Sequence, residues 1–421
     1  MINAGIGSHG YVHLLGPEAN KFVFANSDAF GWREAFQALV LVDGPTALIV
    51  SDGEDHRRRR SLVQPALHHR QVERYVEVMA ANADSVIDTW RVGQRLDVYQ
   101  EFRRAIRRST IQSLFGRRMA GHEEFFGEQL QPLLDLTDRL PQPIAWQRRI
   151  HSPLWRRAIT ARERVDELVD AEVAGARTQN ADADADENVL ATLVNGRTDR
   201  AEPLSDAEVR DQVVSLIAAG YETTSAAMAW AIYALLNTPG VWNRAADEVC
   251  QSVGDRHPSA ADLKGLVYLN GVVQETLRLY PPAVISARKL TRELHFGRHR
   301  IPPGRVLLFS PYVTHRLPEL WAEPRRFVPD RWDPAAPRYR KAAPHEFLPF
   351  GGGPHRCTGS VMATTEMTVM LARLLARTSL RLPAQRIRAT GFAAMRPRNG
   401  LLADVTRLTA EAERRATETT Q

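Results

Sequence analysis

One long helix pattern dominates the sequence. Residues 205–237 show continuous helical periodicity, and within them the stretch 213–236 is apolar enough to suggest a membrane span. Glu222 stands in the middle of that stretch, and Ser205 with Glu208 forms a capping-box pattern ahead of it. These polar positions favour a soluble helix buried in the core, about 50 Å long at 1.5 Å per residue. The pattern therefore predicts a central helix about as long as the domain is wide.

The remaining periodicity predicts a mainly α fold with a minor β region. Further helices are predicted over 72–90, 101–114, 157–176, 266–279 and 361–375, and short strands over 48–51, 306–310 and 401–405. Two polar stretches, 179–188 and 197–203, are too short to separate domains, so residues 1–421 are expected to form a single domain. The polar segment 410–421 is expected to be frayed.

A glycine-rich loop presents one thiol directly before a predicted helix. Cys357 lies in the segment Phe350-Gly-Gly-Gly-Pro-His-Arg-Cys-Thr-Gly359, where the helix dipole favours a thiolate and glycine backbone lets a flat group approach. The loop lacks the ending of a phosphate-binding loop, and Arg356 replaces the third glycine of a dinucleotide fingerprint. Cys250 is the only other cysteine, which argues against a zinc site. The pattern predicts a metal site with a single thiolate ligand.

Charge and cysteine usage limit the partners and the compartment. The formal net charge is +6, carried almost entirely by arginine. The cluster 57–60 has no aromatic interleaving and belongs to no recognised nucleic-acid module, so no nucleic-acid partner is expected. Two cysteines and no visible signal peptide predict a cytoplasmic protein without membrane contact. A basic face of this kind can steer an acidic redox partner.

The pattern Phe350-x-x-Gly353-x-x-x-Cys357-x-Gly359, with His355 two residues before the cysteine, resembles the haem-binding loop of the cytochrome P-450 family. The resemblance implies that Cys357 is the axial ligand to the iron of haem b. A thiolate donates electron density through the iron and so favours cleavage of dioxygen. The loop residues that the resemblance places against the haem are Phe350, Gly351 and Gly359.

The central helix carries a second motif of the same family. The run Ala219-Gly220-Tyr221-Glu222-Thr223-Thr224 resembles its oxygen-activation motif. Gly220 lowers helix propensity and the Thr223 hydroxyl can bond the Ala219 carbonyl, so the helix is expected to open locally. The resemblance implies that Thr223 hydrogen-bonds the iron-bound oxygen and that Glu222 feeds protons from solvent.

Two further sets of charged residues match the family. Glu275 and Arg278 lie at i, i+3 on one helix face, and with Arg331 they resemble the Glu-Arg-Arg triad, which implies a buried cluster that supports haem retention. The resemblance also supplies partners for the haem propionates. These are His56, Arg60, Arg288 and His355.

Segments that would contact substrate are located by resemblance and are mainly aliphatic, which predicts a small apolar or amphipathic organic substrate. The expected pocket residues are Phe36, Leu216, Ile217, Val284, Ile285 and Ala394. The segment 139–155 resembles a lid over the access channel, with Trp146 and Trp155 expected as core anchors. Residues 11–20 resemble a strand and helix that normally follow a further helix and strand, both expected to be absent here.

The resemblance, which covers about residues 11–407, implies a haem-thiolate monooxygenase that hydroxylates or epoxidises its substrate with dioxygen. No flavin or iron–sulfur sequence is present, so the electrons of NAD(P)H are expected to arrive through a separate ferredoxin and ferredoxin reductase. Two alternatives share Cys357: a peroxide-using or isomerising haem-thiolate enzyme, and a haem gas sensor or carrier without catalysis.

Overall fold

A computed structural model describes residues 2–4, 10–138, 141–179, 189–195, 203–337, 339–391 and 394–410. Its α-helices are α1 (Pro17–Ala25), α2 (Trp32–Ala35), α3 (Val40–Asp43), α4 (Gly53–Val63), α5 (His69–Ile87), α6 (Val98–Ala120), α7 (Glu123–Thr137), α8 (Pro141–Arg149), α9 (Pro153–Gln179), α10 (Val189–Asn195), α11 (Asp206–Asn237), α12 (Val241–Ser252), α13 (Ala260–Gly265), α14 (Val267–Leu279), α15 (Pro311–Thr314) and α16 (Ser360–Arg377). The predicted frayed tail and most of the two polar stretches lie outside the described residues.

The strands are short and form small sheets. They are β1 (Ile2–Ala4), β2 (Tyr11–His13), β3 (Phe30–Gly31), β4 (Arg95–Asp97), β5 (Ser286–Leu290), β6 (Leu294–Phe296), β7 (His299–Ile301), β8 (Val306–Phe309), β9 (Thr378–Arg381), β10 (Ala389–Thr390), β11 (Arg396–Pro397) and β12 (Leu402–Leu408). A five-stranded sheet has the order β1-β2-β8-β5-β3, and a three-stranded sheet has the order β4-β12-β9. Only β2 and β8 pair in parallel among the described strands. The expected fold, mainly α with a minor β region, is confirmed.

Helix α11 is the centre of the main hydrophobic core. It packs against α6, α9, α14 and α16, and apolar side chains such as Val213, Ile217 and Ile232 have no exposed surface. A helix enclosed on all sides must be apolar around its circumference, as its sequence is. Its first turn is closed by the predicted capping box, in which the Ser205 hydroxyl accepts from the Glu208 N–H and the Glu208 carboxylate accepts from the Ser205 N–H.

The predicted helices are all present, with ends that differ by a few residues. One strand prediction is wrong, because residues Leu48–Val50 form a 3₁₀ turn instead of a strand. The expected lack of a preceding strand is also wrong, since Ile2–Ala4 pairs antiparallel with Tyr11–His13. The other two predicted strands correspond to β8 and β12.

The predicted lid segment lies only in part within the described residues. Trp155 is half-buried against the main core, as expected. The expectation for Trp146 is wrong, because 58% of its surface is exposed. None of the helices in the described ranges is both long enough and apolar enough to cross a membrane.

Candidate functional site

The cysteine loop is a tight turn that ends at the start of α16. Gly351 has a φ of 66°, a conformation that other residues rarely adopt. Gly352 lies so close to Phe24 that an added Cβ would be 2.6 Å from its Cε2 atom. The Cys357 N–H donates to the Phe350 carbonyl at 3.0 Å and closes the loop. The glycine run therefore fixes Cys357 immediately before the helix.

The Cys357 thiol is both deep in the molecule and accessible. Burial raises its pKa, while a backbone hydrogen bond from Gly359 and the charges of Arg60 and Arg356 act in the opposite direction. Its side chain nevertheless has exposed surface. The N–H group and the two guanidinium groups stabilise the thiolate, which is the form that binds a metal.

One face of α11 is accessible at the middle of an otherwise buried helix. The residues on that face retain accessible surface and are spaced at i, i+3, i+4 and i+7, which places them in one row along the helix. They are Leu216, Ala219, Gly220 and Thr223. The predicted hydrogen bond from Thr223 Oγ1 to the Ala219 carbonyl is present at 2.9 Å. The motif therefore lies on an accessible face of an otherwise buried helix.

The expected opening of the helix at this motif is wrong. Helix α11 continues without interruption from Asp206 to Asn237. Gly220 instead allows close packing, because a Cβ at that position would be 2.8 Å from Thr110 Cγ2 on α6. The Ala219 carbonyl accepts the hydrogen bond of the Thr223 hydroxyl in addition to that of the helical N–H. This second hydrogen bond does not require the helix to break.

Glu222 is held by two arginines that the sequence analysis missed. Arg103 Nε and Nη2 donate to Glu222 Oε2 at 3.0 and 2.7 Å, and Arg396 Nε lies 3.8 Å from Oε1. Desolvation disfavours the charged guanidinium, but the attractions of Glu222, Tyr221 and Tyr99 together outweigh it and raise the pKa of Arg103. Only 6% of Glu222 is exposed, so the carboxylate is held mainly by these two guanidinium groups. No local pattern could reveal pairs that are more than a hundred residues apart.

The structure brings the four predicted propionate partners together beside Trp32 and the cysteine loop. The His355 ring stacks on Trp32 at 4.0 Å between centroids, and the His56 ring lies 3.9 Å from that of His355. Arg288 Cζ lies 3.6 Å from the Trp32 ring centroid on its face. Arg60 Nη1 donates to the backbone of the cysteine loop at 2.8 Å. Trp32 was not predicted, because an isolated tryptophan carries no spacing signal.

Arg288 is a buried cation without a carboxylate partner. It has 6% exposed surface and forms no ion pair with any residue in the described ranges. Its Nη1 donates only to Ser286 Oγ and the Ala287 carbonyl, at 2.9 and 2.6 Å. Desolvation lowers its pKa to about 9, with a smaller opposing effect from Asp52. Because a lone buried charge is costly, this position fits an anionic group.

The predicted Glu-Arg-Arg cluster is present. Arg278 donates from Nε and Nη2 to the two oxygens of Glu275 at 2.8 Å, and neither side chain is exposed. Arg331 Nε lies 3.4 Å from Glu275 Oε1, and Trp332 Nε1 donates to Oε2 at 2.9 Å. Arg278 also donates to the carbonyls of His315, Pro324 and Arg326. The cluster therefore ties α14 to the chain that precedes the cysteine loop.

The predicted substrate residues fall into two groups. Phe36, Leu216, Val284 and Ile285 retain accessible surface. Ile217 and Ala394 are 0% and 2% exposed and pack in the interior, so they do not border accessible space. Adjacent positions on a helix point in different directions, which is why Leu216 and Ile217 cannot both lie on the accessible face of α11.

The family model for cytochrome P450 matches residues 1–400. The chain belongs to the cytochrome P450 family. It is 62% identical over 408 residues to cytochrome P450 139 of Mycobacterium tuberculosis, covering 96% of this chain and 94% of that protein. It is 36% identical to cyclooctatin synthase of Streptomyces melanosporofaciens, covering 81% and 74% of the two chains. Cyclooctat-9-en-7-ol 5-monooxygenase of the same organism is 31% identical, covering 87% and 79%.

This P450 also shares its fold with a solved structure. The cyanobacterial CYP120A1 with bound retinoic acid superposes with a TM-score of 0.83 at 24% identity, covering 94% of this chain and 89% of that one. Family membership makes the protein a haem-dependent cytochrome P450 monooxygenase. The residues fit a haem. The Cys357 thiol is accessible to a metal, and the buried guanidinium of Arg288, which pairs with no carboxylate in the described residues, can bind an acidic group.

Proposed function

We propose that this cytochrome P450 hydroxylates or epoxidises an apolar or amphipathic organic molecule. The accessible side chains at the predicted pocket positions are Phe36, Leu216, Val284 and Ile285, all apolar. The relatives named cyclooctatin synthase and cyclooctat-9-en-7-ol 5-monooxygenase support a narrower class. That class is a ring-containing alcohol whose skeleton is mostly hydrocarbon.

When bound, haem supplies the iron at which dioxygen is cleaved, with two electrons and two protons, so that one oxygen atom enters the substrate and the other leaves as water. Cys357 would hold the iron through its thiolate. His56, Arg60, Arg288 and His355 would bind the propionates, with Phe350, Gly351 and Gly359 beside the ring.

The observation that carries the proposal is the Thr223 hydroxyl on the accessible face of α11, next to the buried Glu222. Thr223 Oγ1 donates its proton to the Ala219 carbonyl and so keeps its lone pairs free to accept from water. Glu222 is the nearest acid to Thr223 along the helix. Its carboxylate would break its contact with Arg103 or Arg396 before it passes a proton toward Thr223. Gly220 brings this part of α11 close to α6.

We infer that two electrons from NAD(P)H reach the protein through a ferredoxin and a ferredoxin reductase. The net charge of +6 supports an acidic partner, because opposite charge speeds encounter. A library of ring-containing alcohols, screened by the optical shift of the ferric protein, would first identify a ligand. That ligand would then be incubated with ferredoxin, reductase, NAD(P)H and isotopically labelled dioxygen.

The proposal predicts labelled product that depends on NAD(P)H. Product formed only with hydrogen peroxide would favour the peroxide-using alternative. An unlabelled isomer formed without an oxidant would favour the isomerising one. If the protein bound carbon monoxide but never consumed NAD(P)H faster in the presence of any ligand, a gas sensor would be the better account.

The Thr223→Ala variant tests the role of the hydroxyl. Without it, we expect reduction to continue while hydrogen peroxide is released and product per NAD(P)H falls by about a hundredfold, the lower end of the range for a lost proton-transfer group. The readout is the ratio of peroxide to product. The Thr223→Ser variant retains the hydroxyl and should keep the ratio of the native protein. Equal ratios in all three proteins would refute the role of Thr223.

A further inference from the structure

A second concave region lies away from the cysteine loop, where three helices meet. Helices α6, α7 and α9 line an open groove of about 990 Å³. None of its lining residues belongs to the cysteine loop or to the accessible face of α11. On α6 the lining positions follow the i, i+3, i+4, i+7 spacing that usually carries apolar packing. They are Gln100, Arg103, Arg104 and Arg107.

The groove is strongly positive. Six of its lining residues are arginines and two are glutamates, an excess of four positive charges among the lining residues, of which those of Arg103 and Arg107 are paired with Glu222 and Glu123 behind the wall. The arginines are Arg103, Arg104, Arg107, Arg156, Arg157 and Arg164, and the glutamates are Glu124 and Glu128. Like charges that line a concave surface reinforce one another and concentrate anions there.

Most of this charge has no partner within the protein. Arg104, Arg156, Arg157 and Arg164 form no ion pair with the residues that the structure describes. All four are exposed at the groove, so they are free to meet a ligand. A cluster of unpaired guanidinium groups destabilises the fold by mutual repulsion unless an anion is present.

The inner wall of the groove also carries a buried donor without an acceptor. Arg107 is 9% exposed and pairs with Glu123, yet its Nε has no hydrogen-bond partner in the described part of the chain. Gly127 leaves room for this guanidinium, because a Cβ there would lie 2.4 Å from Arg107 Cζ. Buried donors are normally satisfied, so this atom is a second and independent indication of a ligand.

We propose that this groove binds a phosphate-bearing anion, supplied either by a free phosphorylated molecule or by a lipid headgroup. Several planar guanidinium groups in one cleft match the oxygens of phosphate, which they bind in pairs. The concave shape suits a small group better than the flat surface of a protein partner. Arg103 joins the groove to Glu222, so an anion bound at the inner wall competes with Glu222 for that guanidinium.

The test measures binding of inorganic pyrophosphate to the haem-loaded protein by titration calorimetry. We expect one pyrophosphate per chain and a higher thermal midpoint in its presence. The double variant Arg157→Gln/Arg164→Gln should bind about tenfold more weakly or worse. The matched control is Arg148→Gln/Arg149→Gln, which removes two exposed charges of α8 outside the groove and should bind as the native protein does.

A parallel measurement uses phosphatidylcholine vesicles with and without phosphatidic acid. Pyrophosphate binding that only the groove variant loses supports the proposal with a free phosphate as ligand. Capture by phosphatidic acid vesicles alone, again lost only in the groove variant, supports it with a lipid headgroup. Equal loss in both double variants would show general charge attraction and overturn the proposal. Absence of binding to either probe would overturn it as well.

Discussion

Buried charged residues of this protein divide into those with partners and those without. Glu275 accepts hydrogen bonds from two arginines, a tryptophan and a backbone N–H, and it is fully buried. Arg288 has no carboxylate, and Glu366 on α16 has an oxygen without any hydrogen-bond partner in the described residues. The first kind stabilises the fold, whereas the second costs free energy that only function or a ligand can explain.

Glu366→Gln should stabilise the protein, and more so at higher pH. Burial raises the pKa of Glu366 to about 8, although the nearby Ser109 hydroxyl acts in the opposite direction. The folded state therefore holds a proton that the unfolded state releases above its ordinary pKa of 4.5, and stability falls as pH rises from that value to about 8. Glutamine removes this loss.

The gain in the free energy of unfolding from Glu366→Gln is measured by urea unfolding at two pH values. It should be larger at pH 8 than at pH 6 by on the order of 2 kcal/mol. Glu167→Gln is the control, because Glu167 is exposed and its substitution should change little at either pH. An identical gain at pH 6 and pH 8 would show that Glu366 is ionised in the fold.

At the scale of elements, the contact between α11 and α6 depends on a missing side chain. Gly220→Ala should destabilise the protein by about 1–3 kcal/mol through overpacking, although alanine is the better helix former by about 1 kcal/mol. The clash is with Thr110 Cγ2, so Thr110→Ser in the same chain should restore most of the loss. Urea midpoints of the native, single and double variants measure this, and a more stable Gly220→Ala protein would contradict the packing argument.

Local pattern predicted the elements that obey one periodicity. The helices with an apolar face, and α11 with its capping box, follow from spacing alone. Helix α7 was not predicted, because Gly127 and Pro132 interrupt its sequence and its groove-facing side is polar. Residues Leu48–Val50 are apolar and two of them are β-branched, which favours a strand. Tertiary contacts fold them into a turn instead, in which the Leu48 N–H donates to Gln212 Oε1 at 2.8 Å.

The site was predictable where motifs carry it and not where distant segments meet. Cys357, Thr223 and the pair Glu275–Arg278 lie within short motifs that the sequence displays, and Arg331 lies in a separate motif of the same family. Arg103 and Trp32 join the site only through tertiary contacts, and neither has a local pattern. Ile217 was misassigned because a one-residue step on a helix turns a side chain by 100°.

At the scale of the whole molecule, the region beside Cys357 is assembled from segments far apart in the chain. Trp32, α4, β5 and the cysteine loop each contribute a ring or a guanidinium to one cluster. Such a cluster concentrates positive charge, so it is more stable with an anionic group than without one. Cofactor binding and global stability should therefore be coupled.

The effect of Arg288→Leu on the thermal midpoint should differ in sign between the haem-free and the haem-loaded protein. In the haem-free protein it removes a lone buried charge, so the thermal midpoint should stay the same or rise. In the haem-loaded protein it removes a propionate partner, so the midpoint should fall. Arg298→Leu is the control, because Arg298 is exposed and its substitution should leave the thermal midpoint of both forms unchanged. Equal shifts in both forms would argue against a propionate at Arg288.

The carbon monoxide spectrum of the reduced protein is the most direct test of thiolate ligation by Cys357. The native protein should show the absorption band typical of a haem with a sulfur ligand, and Cys250→Ser should keep it, since that thiol lies on α12. Cys357→Ser should lose the band entirely. A Cys357→Ser protein with the native spectrum would contradict the account.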